Sequence, residues 1–318
     1  MNGHETNASF DCFGSSCSIV VSGDTDTRSA ADAVSFAQRS LLDWHERFSR
    51  FISESELSRL NRDPRREVPV SPLMAGFAQA VIEAGAMTGG LVDGALAKEI
   101  RIAGYTDDIH QPLALRRALQ LAPARQPAAA APGARWREIE VDLMRNTVTR
   151  PPGLELDSGG LAKGLFADVL GEALADHAAF AINCAGDLSL GGRARTRRQI
   201  KVESPFDGRT LHTFELARTG VATSGIGRRS WLDRNGRPAH HLLDPATGRP
   251  AYTGIVQVTA LAPSALLAEI HAKAAILHGP RLASARLPHG GVIVFDDGTH
   301  QVIAPPPVIT LGELRCVA

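Results

Sequence analysis

The sequence has little cysteine, no surplus of charge of either sign and no long apolar run. Its 318 residues hold four cysteines, Cys12, Cys17, Cys184 and Cys316. They show neither disulfide density nor a paired metal-ligand spacing, which excludes a stapled extracellular scaffold and a zinc module. Lys and Arg total 34 and Asp and Glu total 34, for a formal net charge of zero. A nucleic-acid footprint requires a basic surplus or stripe; the nearest candidate, Arg193 to Arg198, is short and reads as a solvated loop. Nowhere does the chain approach the roughly 18 uninterrupted apolar residues of a membrane span. The N-terminus lacks a basic region followed by an apolar stretch, so no secretory signal is expected there, and Cys12 is not placed as a lipid anchor. These readings predict reduced thiols, a cytoplasmic location, and neither nucleic acid nor membrane as partner.

What remains is an ordinary globular composition, 44% apolar and 21% charged, in a chain long enough to bury a real core. A strand is predicted over Ser16 to Val21. Apolar residues at spacings of three and four (Ala33, Phe36, Ala37, Leu41, Trp44, Phe48) place a helix within 24–51. A second helix runs from Ser71 to Met87 with Pro72 in its first turn. The Pro- and Ala-rich stretch 122–134 reads as an exposed insertion or linker. A hairpin follows over 136–148, a helix from Leu161 to His177 and a short buried strand at Phe180–Asn183. Further strands are expected near 200–204, 211–216 and 254–260, then a helix over Ala265–Leu277 and a closing hairpin beyond Gly291. Strands and helices mix without βαβ alternation, which favours the α+β class over a doubly wound sheet.

Several segments could carry chemistry. In Asp157-Ser-Gly-Gly-Leu-Ala-Lys-Gly164, paired glycines at a helix start leave backbone N–H groups open to a phosphate. Lys163 places a positive charge beside them and Asp157 offers an acceptor. The order is not that of a Walker loop, and glycines with a lysine serve equally as a capped turn. The segment from His240-His241 through Asp244-Pro to Thr247-Gly-Arg-Pro is a loop in which His241 is suited to hydrogen bonding or proton transfer; alone, a histidine pair is as often incidental. Gly89 to Gly94 and Gly220 to Gly225 each put small residues where a ligand could approach the backbone, and neither is specific. Glu269 and Lys273, four apart, share a helix face, where an ordinary surface ion pair contributes about 0.3–0.5 kcal/mol.

Taken in order, these segments resemble the motif series of the FAD:protein FMN transferases, the ApbE family. Phe13-Gly14-Ser15 loosely matches the first turn. Ser49-Arg-Phe-Ile-Ser-Glu-Ser-Glu-Leu-Ser-Arg-Leu-Asn61 matches the second motif closely. Gly90-Leu91-Val92-Asp93, Asp157–Gly164, Asn183–Asp187, Ala222–Gly225 and His241–Gly248 follow in sequence. The resemblance implies a two-lobed α+β fold of mixed and antiparallel sheets, with FAD in a central cleft. It implies Phe13 and Phe51 flanking the flavin, Leu91, Val92 and Asp93 lining the nucleotide, and Asp157, Lys163 and His241 binding FAD, with Lys163 near the diphosphate. The implied reaction is attack by a Thr or Ser hydroxyl of a target protein on the FMN phosphorus, with loss of AMP.

The family also implies Mg²⁺, held by a backbone carbonyl of the glycine loop (here Gly160) and by an Asp and a Thr four residues apart. Counting back from Gly279, those two positions are Glu269 and Lys273. An ammonium cannot coordinate Mg²⁺ and repels it. Two outcomes are expected: Lys273, paired with Glu269, stands in for the ion during catalysis, or the chain binds flavin nucleotide as a carrier without transferring it. Hydrolysis of FAD to FMN and AMP is a third.

Overall fold

The computed structural model describes residues 5–107, 109 and 111–306; Cys316 lies outside them. Among the described residues the framework is an eight-stranded antiparallel sheet. Its strands are β1 (Glu5–Cys12), β2 (Ser15–Ser22), β3 (Ala179–Cys184), β4 (Asp187–Gly191), β5 (Gly220–Gly225), β6 (Ile255–Ala262), β7 (Gly291–Phe295) and β8 (His300–Ile303). They are hydrogen-bonded in that spatial order. Period-two alternation drives β2, where Cys17, Ile19 and Val21 all point into the core. Its partner β1 went unread because Thr-Asn-Ala-Ser-Phe-Asp is too polar to announce a strand. The chain is α+β, as expected.

The helices are α1 (Ala30–Phe48), α2 (Glu56–Arg62), α3 (Pro72–Thr88), α4 (Ala97–Ile102), α5 (Leu115–Leu121), α6 (Ala162–Ala173) and α7 (Ala265–His278). Local chemistry fixes their starts. Ser29 Oγ accepts from Asp32 N and caps α1, and Ser71 Oγ caps α3 ahead of Pro72. Gly89, at φ 67°, ends α3 in the left-handed conformation that glycine adopts without a Cβ penalty. Against the sheet, α1 packs on β1 and β2, α6 on β3 and β4, and α7 on β5 and β6.

Two apolar cores result. One joins β2 and β3 with α1, α3 and α6; the other joins β5, β6 and β7 with the hairpin of Arg198–Glu203 and Thr210–Leu216. Burying each large apolar side chain contributes about 1.5–3 kcal/mol. Helix α7 contributes Ile270 and Ala274 to the first core and Ala272, Ala275 and Ile276 to the second. A helix with apolar residues all round is a buried one, and α7 is the shared wall.

Its position follows from α6. Asp168 of α6 accepts from the N–H groups of Ala265 and Leu266, both at 2.8 Å, and Ser264 Oγ accepts from Leu267 N. In return Glu269 of α7 accepts from Gly164 N of α6 at 3.0 Å. Each helix thus satisfies open donors at the start of the other. Contact is close enough that a Cβ on Gly164 would lie 2.7 Å from Leu266 Cα, and one on Gly220 would lie 2.0 Å from the Ser264 carbonyl carbon.

Two readings of the sequence are corrected here. Gly220 to Gly225, expected to let a ligand approach the backbone, is an interior strand with Thr223 and Thr259 hydroxyls paired at 2.8 Å, and it does not line the cleft. The hairpin expected from Trp136 begins later, at Glu140–Asp142 with Thr147–Thr149, because Arg135–Glu138 is a 3₁₀ turn that buries Trp136. Stretch 122–134 carries no helix or strand, yet its backbone bonds to Tyr252, Leu277 and Asp244.

Because Gly164 meets backbone rather than a yielding side chain, Gly164→Ala is expected to cost about 1–3 kcal/mol, the range of overpacked contacts. Chemical denaturation measures it, and an unchanged midpoint would mean that α6 and α7 separate freely.

Candidate active site

A cleft with about 1150 Å³ of space, open solvent included, lies where α1, α4, α6 and α7 converge. Its walls include Phe13, Phe51, Leu91, Val92, Asp93, Asp157, Gly160, Lys163, His241 and Lys273. The structure therefore brings together every candidate residue except Glu269, which lies fully buried beneath the floor.

Long-range bonds shape the glycine loop. Asn61, at the end of α2, donates to the Leu156 carbonyl and accepts from Leu156 N, both at 2.8 Å. Ser158 Oγ donates to the Phe48 carbonyl at 2.7 Å, and Asp157 N to the Gly94 carbonyl at 2.9 Å. The second motif thus positions the fourth. A Cβ on Gly160 would meet nothing within 4 Å, so that residue faces open space. Asp93 accepts from Ala95 N at 2.8 Å, and burial pushes its carboxyl above the usual range.

Beneath the loop is a buried four-group ionic cluster. Glu269 Oε1 accepts from Lys273 Nζ at 2.7 Å and from Lys163 Nζ at 3.1 Å, while its Oε2 takes Gly164 N. Lys163 also bonds to Asp187, which is buried and has one unpaired oxygen. Burial raises the Glu269 carboxyl, but the two lysines outweigh it and hold it at about 2. Burial, with the negative Glu269 nearby, lifts Asp187 to about 6 against the pull of Lys163. For Lys163, burial works against the charge and is outweighed by Asp187 and Glu269, so its pKa is raised. The balance reverses at Lys273, where burial and the neighbouring Lys163 lower it despite Glu269. Two ammoniums and two carboxylates compensate one another, as buried charges must.

Apolar surface flanks this centre on both sides. On one, Phe13 at the β1–β2 turn packs against His45 and Phe166. On the other, Phe51 meets Tyr105, which stacks on Trp231 with ring centroids 5.2 Å apart. Arg229 joins the sides by donating to the Phe13 carbonyl at 2.9 Å. His241 lines the cleft, and its Nδ1 has no partner among the described residues. Burial, together with the charges of Arg229 and Lys273, lowers its pKa well below the usual value, so it is neutral at pH 7. The rest of that motif is structural: Asp244 accepts from Ala129 N, Ala246 N and Thr247 Oγ1 and fixes the turn.

The residues fit a divalent cation poorly. Glu269 spends both oxygens on Lys163, Lys273 and Gly164, and two ammoniums, which repel a cation, stand against its carboxylate. Among the described residues no group of three or more His, Cys, Asp or Glu side chains is placed to hold a metal.

Sequence reasoning missed four cleft-related residues. Asp187 sat in a motif already noted, Arg50 lay inside the second motif, and Arg229 followed the Gly225 turn. Tyr105, in a loop, gave no signal.

A model of the ApbE family matches residues 13–293. The chain is 26% identical over 256 residues to the FAD:protein FMN transferase of Salmonella typhimurium, spanning 78% of this chain and 71% of that one. It is 25% identical over 275 residues to the FAD:protein FMN transferase of Klebsiella pneumoniae, with spans of 83% and 77%. In backbone it is similar to the ApbE protein of Thermotoga maritima, with TM-score 0.77 and 21% identity over 94% of this chain and 97% of that one. It is also similar to the flavin transferase ApbE from Vibrio cholerae, with TM-score 0.70 and 20% identity over 95% and 97%.

Buried histidines give this region a pH signature. His240 is 1% exposed, and burial lowers its pKa to about 3. As pH falls below 6.5 the unfolded chain takes up protons that the folded chain refuses, so stability declines. His240→Asn keeps an acceptor for Leu242 N and removes that uptake. Urea midpoints measured from about pH 7 to about pH 4.5 are expected to fall less steeply in the variant than in the wild type; equal slopes would refute the assignment.

Proposed function

Because the chain belongs to the ApbE family, we propose that it transfers FMN from FAD to a Thr or Ser hydroxyl of a target protein, releasing AMP. The observation that carries this reading is the Lys163–Glu269–Lys273 cluster on the floor of a cleft with apolar surface at both ends. A dinucleotide has the same layout, two rings separated by a charged diphosphate.

In this reading the diphosphate lies over Gly159 and Gly160, whose small size lets phosphate oxygens approach the backbone. Asp93 and Asp157 accept hydrogen bonds from the nucleotide, and Phe13, Phe51, Leu91 and Val92 pack on it. The acceptor oxygen bonds to the FMN phosphorus as the bond to the AMP oxygen breaks, and AMP leaves with that electron pair. The acceptor's proton passes to neutral His241, whose lowered pKa keeps the imidazole ready to receive it. Charge grows on the phosphate oxygens, and Lys163 and Lys273 are the cations nearest to meet it. Lys273 takes the role filled elsewhere by Mg²⁺. Glu269 holds both ammoniums in place, and no step requires a divalent ion.

The described structure has no helix long and apolar enough to cross a membrane. A cytoplasmic location is part of the same proposal, in keeping with the free, buried thiols of Cys12, Cys17 and Cys184.

The test is incubation with FAD and an acceptor, with Mg²⁺ or with EDTA, followed by nucleotide chromatography. AMP release is expected to be insensitive to EDTA in the wild type and to become Mg²⁺-dependent in the double variant Glu269→Asp, Lys273→Thr. Intact FAD retained on the wild type, with no AMP, would instead establish a carrier. Asp157→Ala is expected to weaken FAD binding about tenfold, the loss of roughly one charge-assisted hydrogen bond; unaltered affinity would remove Asp157 from the site.

A further inference from the structure

Among the described residues that line the cleft, Arg50 is a cation with open donors that the proposed chemistry leaves unused. Arg50 follows α1 and lines the cleft wall, with its side chain only 10% exposed. Both of its terminal nitrogens, Nη1 and Nη2, are buried without a hydrogen-bond partner among the described residues. Its Nε lies 3.7 Å from Asp157 Oδ1, an ion-pair distance too long for a hydrogen bond. The guanidinium carbon sits 4.3 Å from the ring centre of Tyr105 and 4.8 Å from that of Phe51. The other cleft cations differ: Lys163 and Lys273 are each paired with a carboxylate, and Arg229 holds Phe13.

A buried guanidinium with open donors is costly unless something supplies acceptors. Two aromatic rings flank it, and the planar guanidinium presents its donors as a fork that suits two acceptors side by side. The parts of FAD differ in what they offer. Adenine sets its amino donor between the acceptors N7 and N1, so neither polar edge presents two neighbouring acceptors. The isoalloxazine presents two such pairs, N1 with O2 and N5 with O4. A phosphate also carries paired acceptors, but in the proposed binding the diphosphate lies over Gly159 and Gly160 before Lys163 and Lys273, which leaves the fork to another part of FAD. The rings of Phe51 and Tyr105, both in the cleft wall, give apolar surface beside the fork for a ring to pack on.

We infer that Arg50 reads the acceptor edge of the flavin ring and so sets which way round FAD lies in the cleft. The inference rests on the proposed FAD binding and goes beyond it. The flavin is at the Phe51–Tyr105 end and the adenine at the Phe13 end, so of the two aromatics that the resemblance sets beside the flavin this inference keeps only Phe51 there. A fixed positive charge on that edge also favours the anionic reduced ring, so bound FAD has a higher reduction potential than it would without the arginine.

The test compares the full-length wild type with Arg50→Ala, Arg50→Gln and Arg50→Lys in titrations with FAD, riboflavin and ADP. Arg50→Ala is expected to weaken FAD and riboflavin about 10- to 100-fold, the loss of hydrogen bonds to a charged donor, and to leave ADP within about twofold. Arg50→Lys, which keeps the charge without the fork, should recover little riboflavin affinity. Reduction potentials of bound FAD, from dye-coupled titration, should be more negative in Arg50→Gln than in the wild type. Equal losses for ADP and riboflavin would assign the fork to the diphosphate and overturn the inference, as would unchanged binding of all three. Should Arg50→Ala fail to fold, judged by its thermal transition, the Gln and Lys variants decide by the same comparisons. Wild-type protein that binds no FAD would sink the functional reading and this inference together. Wild-type protein that releases AMP while the variants keep full riboflavin affinity would sink only the inference.

Discussion

One buried carboxylate organises the centre of the molecule. Glu269 has no exposure to solvent, and three donors converge on its two oxygens: the ammoniums of Lys163 and Lys273 and the backbone N–H of Gly164. Removing one partner from such a set commonly costs about 3–5 kcal/mol, because the remaining charges stay buried. The same carboxylate serves as a cap for α6, which has no side-chain cap of its own, while Asp168 caps α7 in exchange. Helix packing and ligand chemistry are therefore one structure here. The ammoniums cannot be placed without docking the helices, and docking the helices fixes the ammoniums.

The electrostatics of the cleft follow from that arrangement. Lys163, Lys273, Asp187 and Glu269 balance in charge, so the floor is stable when empty. Phosphate oxygens approaching it meet two cations already oriented by carboxylates behind them, and orientation in advance of charge development is the general source of electrostatic catalysis. A divalent ion concentrates more charge at one point, but it requires oxygen ligands, and here those oxygens are committed to nitrogen donors. Coupling of this kind means that changing Lys273 would change the whole cluster rather than one side chain.

Much of the fold was legible because its signals were local. Helices α1 and α3 announced themselves through apolar spacing, α3 also through Ser71 and Pro72 at its start and α7 through Gly279 and Pro280 after its end, and β2 through alternation. The glycine loop, Lys163, His241 and the Glu269–Lys273 pair were legible as motifs. What escaped lacked a local pattern. The polar strand β1 is specified by its pairing with β2, and the glycines of Gly220 to Gly225 show their purpose only where Gly220 meets the start of α7. Asp187 and Arg50 stood inside noted motifs, but their importance depends on what lies opposite them. No spacing rule could reveal that Asp187 would meet Lys163 or that two nitrogens of Arg50 would be enclosed without partners.

The reciprocal amide pair between Asn61 and Leu156 has a consequence for the lifetime of the protein. Asparagine side chains deamidate when the following backbone nitrogen attacks the side-chain carbonyl, a step that needs an extended local backbone. Here Asn61 lies within α2, whose geometry withholds that conformation. Conversion to aspartate would replace the donating amide with a carboxylate facing the Leu156 carbonyl oxygen, and repulsion would pry the turn from its support. The short helix that supplies this clamp therefore also shields it from chemical ageing.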